Sequence, residues 1–163
     1  MNTLVQRHGT GVIIISLLVA LLLTNVPLPE SLRLLRPDWV LLVLIYWTMA
    51  LPHRVGVGVA WLAGLFTDVL TGTLLGQHAL AYCIVIFITI KLHQRLRLHP
   101  LWQQSLSILT LLALSQLLLV WISGMIGRPV HTWTYWLPSL VGALLWPIIF
   151  PILRGLRRSF RVL

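Results

Sequence analysis

Apolar residues fall in long runs along this chain, and polar residues gather at the ends of the runs. Stretches without a formal charge extend from His8 to Pro29, Trp39 to His53, Val69 to Ile90, Leu98 to Gly127 and Pro129 to Leu153. Val55 to Thr67 is joined to the third of these through a single aspartate. A spanning helix needs about 20 apolar residues to cross a hydrocarbon core of about 30 Å. At about 1.5 Å per residue, Val55 to Ile90 as one helix would measure about 54 Å, too long for a single crossing at any usual tilt. That segment therefore reads as two helices, broken where Gly72, Gly76, Gln77 and His78 interrupt the apolar sequence and glycine tolerates turn geometry. The resulting expectation is six spans, over 11–27, 38–53, 55–75, 78–93, 101–126 and 133–153, joined by short loops in one all-α membrane domain covering 1–163.

Composition agrees with that pattern. The 163 residues are 58% hydrophobic and 9% charged, with a mean hydropathy of +0.94, where a soluble domain carries about 25% charged residues. No stretch between apolar runs is long enough for a nucleotide-binding or soluble catalytic domain. Cys83 is the only cysteine, which excludes an intrachain disulfide and a thiolate metal cluster.

Charge then orients the spans. Twelve Lys and Arg face only three acids, Glu30, Asp38 and Asp68, for a formal net charge of +9. In a soluble chain this would suggest nucleic acid. Here the cations cluster at the ends of apolar runs, where lipid headgroups and the positive-inside bias account for them, so no nucleic-acid partner is expected. Six spans put Arg7, Arg54, Lys91, Arg95, Arg97, Arg154, Arg157, Arg158 and Arg161 on one side and Arg33, Arg36 and Arg128 on the other. Both termini are thus expected in the cytoplasm. A five-span chain gives the same count with the N-terminus outside, so helix length, not charge, decides the number of spans. Arg7 ahead of Val12 to Leu23 has the look of a secretory signal, but Thr24 to Pro29 lacks a small-x-small cleavage site and reads as the end of an uncleaved span. Leu28, Leu32 and Leu35, with Glu30, Arg33 and Arg36 between them, predict a short interfacial helix between Pro29 and Pro37. Trp39, Trp102, Trp133 and Trp136 fit an aromatic belt.

The clearest internal pattern is Gly56, Ala60, Gly64, Asp68, Gly72 and Gly76, spaced by four residues along the third span. Such a stripe winds slowly round a helix, and small side chains let another helix approach closely, so these residues predict a packing seam or a partner surface. Asp68 is the one acid inside a span. A carboxylate there is costly, and an intramembrane acid asks for a role: proton or cation carriage, a ligand contact, or a polar lock between helices. With only Thr67, Thr71, Thr89, Ser115 and Gln116 scattered over the spans, and with no second buried acid and no buried base, the polar lock is favoured. Gln116 reads as an interhelical hydrogen-bonding group, and Pro147 and Pro151 predict a kink in the last span. His8, His53, His78, His93, His99 and His131 are scattered over span ends and loops, with no HExxH and no nucleophile beside a base. Neither enzyme activity nor a metal or other cofactor is expected.

Several stretches, in order, carry a family likeness. They are Arg36-Pro37-Asp38-Trp39 leading into Val-Leu-Leu-Val-Leu-Ile-Tyr-Trp, then Ala50-Leu51-Pro52-His53-Arg54-Val55, Asp68-x3-Gly72-x3-Gly76, Leu101-Trp102-Gln103-Gln104, and Leu145-Trp146-Pro147 before a basic tail. Over most of its length the chain resembles the MreD family of bacterial rod-shape-determining membrane proteins, particularly the proteobacterial form. The resemblance implies a non-enzymatic inner-membrane subunit of the cell-wall elongation machinery. It implies MreC as direct partner, and MreB, RodA and the elongation transpeptidase as members of the same complex. The family is also similar in fold to the six-helix S components of energy-coupling-factor vitamin transporters. That kinship sets the alternative, a small-molecule-binding component with an outer pocket near Trp39, Asp68, His78 and Trp133.

Overall fold

A computed structural model describes residues 8–33, 35–127 and 133–160. Arg7, Arg128, His131 and Arg161 lie outside the described residues, as do the side chains of His8, Arg33 and Trp133. The described chain is all-helical: α1 (His8–Asn25), the single turn α2 (Glu30–Arg33), α3 (Trp39–Ala50), α4 (Val57–Thr71), α5 (Gln77–Leu98), α6 (Leu101–Met125), a 3-10 turn (Trp133–Trp136) and α7 (Leu137–Ser159). Three helices, α5, α6 and α7, are long and apolar enough to cross a membrane, and α1, α3 and α4 are shorter apolar helices. Large apolar side chains such as Leu22, Phe66, Phe87, Trp121, Leu144 and Ile148 are exposed around the outside, as a lipid-facing surface requires. The chain is a membrane protein.

α3 is the centre. Its residues from Val40 to Ala50 are all buried, because α1, α4, α5 and α7 pack around it. A helix that is apolar all round is one buried on every side. Twelve residues make only about 18 Å at about 1.5 Å per residue; since α3 touches helices rather than lipid, its length need not match the bilayer. Asp38 caps it, accepting the Leu41 N–H at 3.2 Å, and satisfies one of the orphan donors of its first turn.

Several boundaries differ from expectation for clear reasons. α5 runs on to Leu98 through Lys91, Arg95 and Arg97, and α7 runs to Ser159 through Arg154, Arg157 and Arg158. Lys and Arg are good helix formers and can carry their charge outward on long stems, so they mark an interface without ending a helix. α7 starts at Leu137 rather than at 133 because a 3-10 turn precedes it, and it continues through both Pro147 and Pro151. The interfacial helix amounts to the one turn α2.

α4 stops at Thr71 because Gly72 takes φ +72°. The Gly72 and Thr73 N–H groups fold back on the Asp68 carbonyl, the pattern of a left-handed helix cap. Gly76, at φ +97°, then starts α5. Gly72 and Gly76 therefore leave the predicted packing stripe: neither has a neighbour within 4 Å of an added Cβ, and what the chain uses is their backbone freedom. Gly72→Ala should accordingly cost about 1–2 kcal/mol through backbone strain, and Gly72→Asn less, since asparagine tolerates the left-handed region. Thermal unfolding in detergent reads this order; equal stability of all three forms would contradict it.

Candidate functional site

The stripe residues that do pack lie in the middle of α4. Ala60 and Gly64 are buried, and a Cβ added to Gly64 would fall 2.3 Å from Ala79 Cα and 2.5 Å from Ala79 N. Glycine here lets the backbones of α4 and α5 touch, the purpose of a small-residue contact between membrane helices. Gly56 precedes the seam as the N-cap of α4 and meets only Ile90, at 4.0 Å. A second close approach, Gly142 of α7 against a Leu112 methyl at 2.7 Å from an added Cβ, had no counterpart in the four-residue stripe.

One turn beyond Gly64, that approach brings Asp68 to the start of α5. The residue is 1% exposed. Oδ1 accepts the His78 N–H at 2.9 Å, the Thr73 hydroxyl at 2.8 Å and His78 Nδ1–H at 2.7 Å. Oδ2 accepts the Gly76 N–H at 2.9 Å and the Ala79 N–H at 3.4 Å. The N-cap of α5 is a glycine with no side chain to offer; Asp68 supplies the missing acceptor from across the turn, at the helix end that favours negative charge. The sequence offers Asp68 no buried base within the spans and places His78 at a span end. His78 is a direct partner, made so by the tight turn that returns the chain from Asp68 to α5. Its Nδ1 engaged on the carboxylate leaves Nε2 as the free ring nitrogen.

His78 also forms part of a cavity of about 350 Å³ at the end of the bundle where α4 meets α5. Arg36, Asp38, Tyr82, Ser115, Gln116 and Tyr135 contribute to the same wall. The Tyr82 hydroxyl donates to Asp38 Oδ1 at 2.7 Å, and the His78 and Tyr82 rings meet edge to face. Gln116 donates to the Tyr135 carbonyl at 2.8 Å and accepts from the Ser139 hydroxyl, tying α6 to the start of α7. Arg36 donates to the carbonyls of Thr24 and Val26 at the end of α1. Two polar atoms in this wall are buried without a partner, Arg36 Nε and Ser115 Oγ, and Ser115 is 1% exposed. Buried polar groups are normally satisfied, so such orphans are a polar ligand's natural contacts.

The remaining sequence candidates are dispersed. Pro37 is buried against α7, within 3.7 Å of an added Gly142 Cβ. Trp39 faces away from the cavity, into an apolar groove between α1 and α7. Pro52, His53 and Arg54 lie at the opposite end of the bundle, where His53 is exposed and Arg54 donates to the Thr10 hydroxyl. Of the outer-pocket residues expected together, and among the described side chains, only His78 lines the cavity; Asp68 sits behind it, Trp39 is elsewhere, and the Trp133 side chain lies outside the described residues. Sequence reasoning missed Tyr82, although it stands one turn after His78 on the same face, and it took Ser115 for a scattered polar residue; Gln116 makes the interhelical hydrogen bonds expected of it. Among the described residues, no group of His, Cys, Asp and Glu could hold a metal ion.

A family model described as rod shape-determining protein MreD matches residues 5–156. A relative from Haemophilus influenzae, named rod shape-determining protein MreD, is 33% identical over 144 residues, covering 88% of this chain and 89% of the relative. No solved structure matches the chain.

Proposed function

The chain belongs to the MreD family of rod shape-determining proteins, and from that premise we propose that it is a non-enzymatic, six-span inner-membrane subunit of the complex that maintains rod shape. In this reading it binds MreC directly, and through it helps to organise lateral peptidoglycan synthesis with MreB, RodA and the elongation transpeptidase. The observation that carries the reading is the family match over almost the whole chain. The charge distribution supports the orientation: Arg54, Lys91, Arg95, Arg97, Arg154, Arg157 and Arg158 sit at the end of the bundle where α1 begins and α7 finishes, the pattern of a cytoplasmic face. Ala60, Gly64 and Asp68 serve as an internal α4–α5 seam, which leaves exposed apolar faces of other helices for a partner's span.

Purification of the tagged chain from its native membrane in mild detergent, followed by mass spectrometry of bound proteins, tests this. MreC with wall-synthesis proteins is the expected recovery, absent from an untagged control. A second reading, the small-molecule-binding component of an energy-coupling-factor type transporter, has in its favour the partnerless Ser115 and Arg36 atoms in the cavity wall. It expects instead a coupling protein with paired ATPases, or a metabolite bound in stoichiometric amount. Either would displace the first reading.

A further inference from the structure

We propose that the cavity beside His78 receives the headgroup of a zwitterionic aminophospholipid, its ammonium on Asp38 and its phosphate on Arg36. Pro37 sets these two charges up. The residue before a proline is held extended, and residues two apart on an extended segment point the same way, about 7 Å apart at Cα. Arg36 and Asp38 accordingly both line the cavity. They do not pair with each other: among the described residues the ion pair is that of Asp68 with His78. A cation and an anion held on one wall, and not spent on each other, form a template for a ligand that carries both signs.

Each charge keeps hydrogen-bonding capacity. Asp38 accepts the Leu41 N–H and the Tyr82 hydroxyl, both on Oδ1, which leaves Oδ2 to an ammonium. The free Nε2 of His78, whose ring meets Tyr82 edge to face, is a second acceptor on that side. Arg36 uses one N–H of each terminal nitrogen on the carbonyls of Thr24 and Val26. Its Nε–H is buried without a partner. Ser115 Oγ is another such atom in the same wall, on a residue 1% exposed. Guanidinium N–H groups suit phosphate oxygens, and the bonds are strengthened by charge on both sides.

A lipid fits better than a soluble zwitterion because the cavity adjoins an outlet to the bilayer. A second hollow, of about 410 Å³, shares Thr24, Arg36 and Thr71 with it and is bounded also by Val26, Leu28 and Leu70. Val26, just past the end of α1, and Leu70, in the last turn of α4, are exposed on the lipid side of the bundle. Arg36 thus stands between a polar chamber and an apolar-sided outlet. A phosphate resting on Arg36 lets the ammonium reach inward to Asp38 while the glycerol and first acyl carbons lie against Val26, Leu28 and Leu70. Both hollows lie where α1 and α4 end and α3 begins, the level at which apolar spans give way to headgroups. The inference goes beyond the rod-shape reading and does not depend on which proteins the chain assembles with.

Native mass spectrometry of the purified full-length chain tests the site, with phosphatidylethanolamine, phosphatidylcholine or phosphatidylglycerol of the same acyl chains added. The expected result is retention of phosphatidylethanolamine on the order of tenfold over either of the others, since choline has no N–H to donate to Asp38 and the glycerol headgroup carries no cation. Asp38→Asn should abolish that preference; asparagine is also a good N-cap, so α3 keeps its start. Ser115→Ala should lower phosphatidylethanolamine retention severalfold, and it covers the case in which Asp38→Asn does not fold. Ser105→Ala removes another buried, unpartnered hydroxyl, one that does not line the cavity, and should change nothing. Equal retention of the three lipids by the wild type overturns the proposal, as does an intact preference in folded Asp38→Asn or an equal loss in Ser105→Ala. Displacement of the lipid by millimolar phosphoethanolamine would assign the cavity to a soluble zwitterion, and displacement by an uncharged acetylated dipeptide amide to a peptide segment; either overturns the lipid assignment.

Discussion

Gly64→Ala is expected to destabilise the protein by about 3 kcal/mol, the upper part of the range for overpacked sites. One added methyl would sit 2.3 Å from Ala79 Cα and 2.9 Å from the His78 carbonyl carbon. Both are backbone atoms, so no side-chain rotation relieves the clash and the two helices must part. Parting them lengthens every bond from Asp68 to the start of α5, which adds a polar cost to the steric one. Gly58 offers the control within the same helix. An added Cβ there meets nothing within 4 Å, and Gly58→Ala should be neutral or stabilising by about 0.5–1 kcal/mol, because alanine loses less backbone entropy than glycine in a helix. The fraction of monodisperse protein left after heating in detergent separates the two variants. If Gly64→Ala survives as well as Gly58→Ala, the backbone contact between α4 and α5 does not exist.

Asp68→Ala should be comparably damaging, about 3 kcal/mol or more. It strands the N–H groups of Gly76 and His78 and the ring N–H of His78, and each buried unsatisfied donor costs about 1–3 kcal/mol. Asp68→Asn keeps one oxygen but turns an NH2 group toward donors, so it should recover only part of the loss. A role for Asp68 in carrying protons predicts the reverse order of effects. Stability would be unchanged in Asp68→Asn while rod shape fails in cells whose only copy carries it. Melting temperature and cell shape measured on the same variant decide between a structural and a transport role. In the present geometry shape should fail in proportion to the fall in folded protein.

The same residues show what was legible in advance and what was not. A chain so poor in charge has to place its apolar runs in lipid or in a helical core, and the cost of unpaired backbone groups in lipid leaves helices as the way to do it. Runs of apolar residues therefore located α1, α3, α4, α5, α6 and α7 to within a few residues, except where arginines extended α5 and α7. Small residues at four-residue spacing announced a close helix contact on α4. They did not distinguish Gly64, which needs space, from Gly72, which needs a positive φ, because one letter serves both physical needs. Asp68 stood out as costly, yet its partners did not, since Thr73, Gly76 and His78 become neighbours only after the chain reverses.

Sequence alone thus determined the membrane habitat, the helical class, the asymmetry of positive charge and, through ordered motifs, the family. Those properties depend on composition and on neighbours along the chain, which hydropathy and local spacing report directly. Tertiary structure alone decided that Asp68 caps α5 and that Arg36, Asp38, Tyr82 and Ser115 share one cavity with His78. These groupings join residues tens of positions apart on different helices. Which faces of those helices meet is settled by packing, at Gly64 against Ala79 and Gly142 against Leu112, and packing has no period along the chain from which to read it.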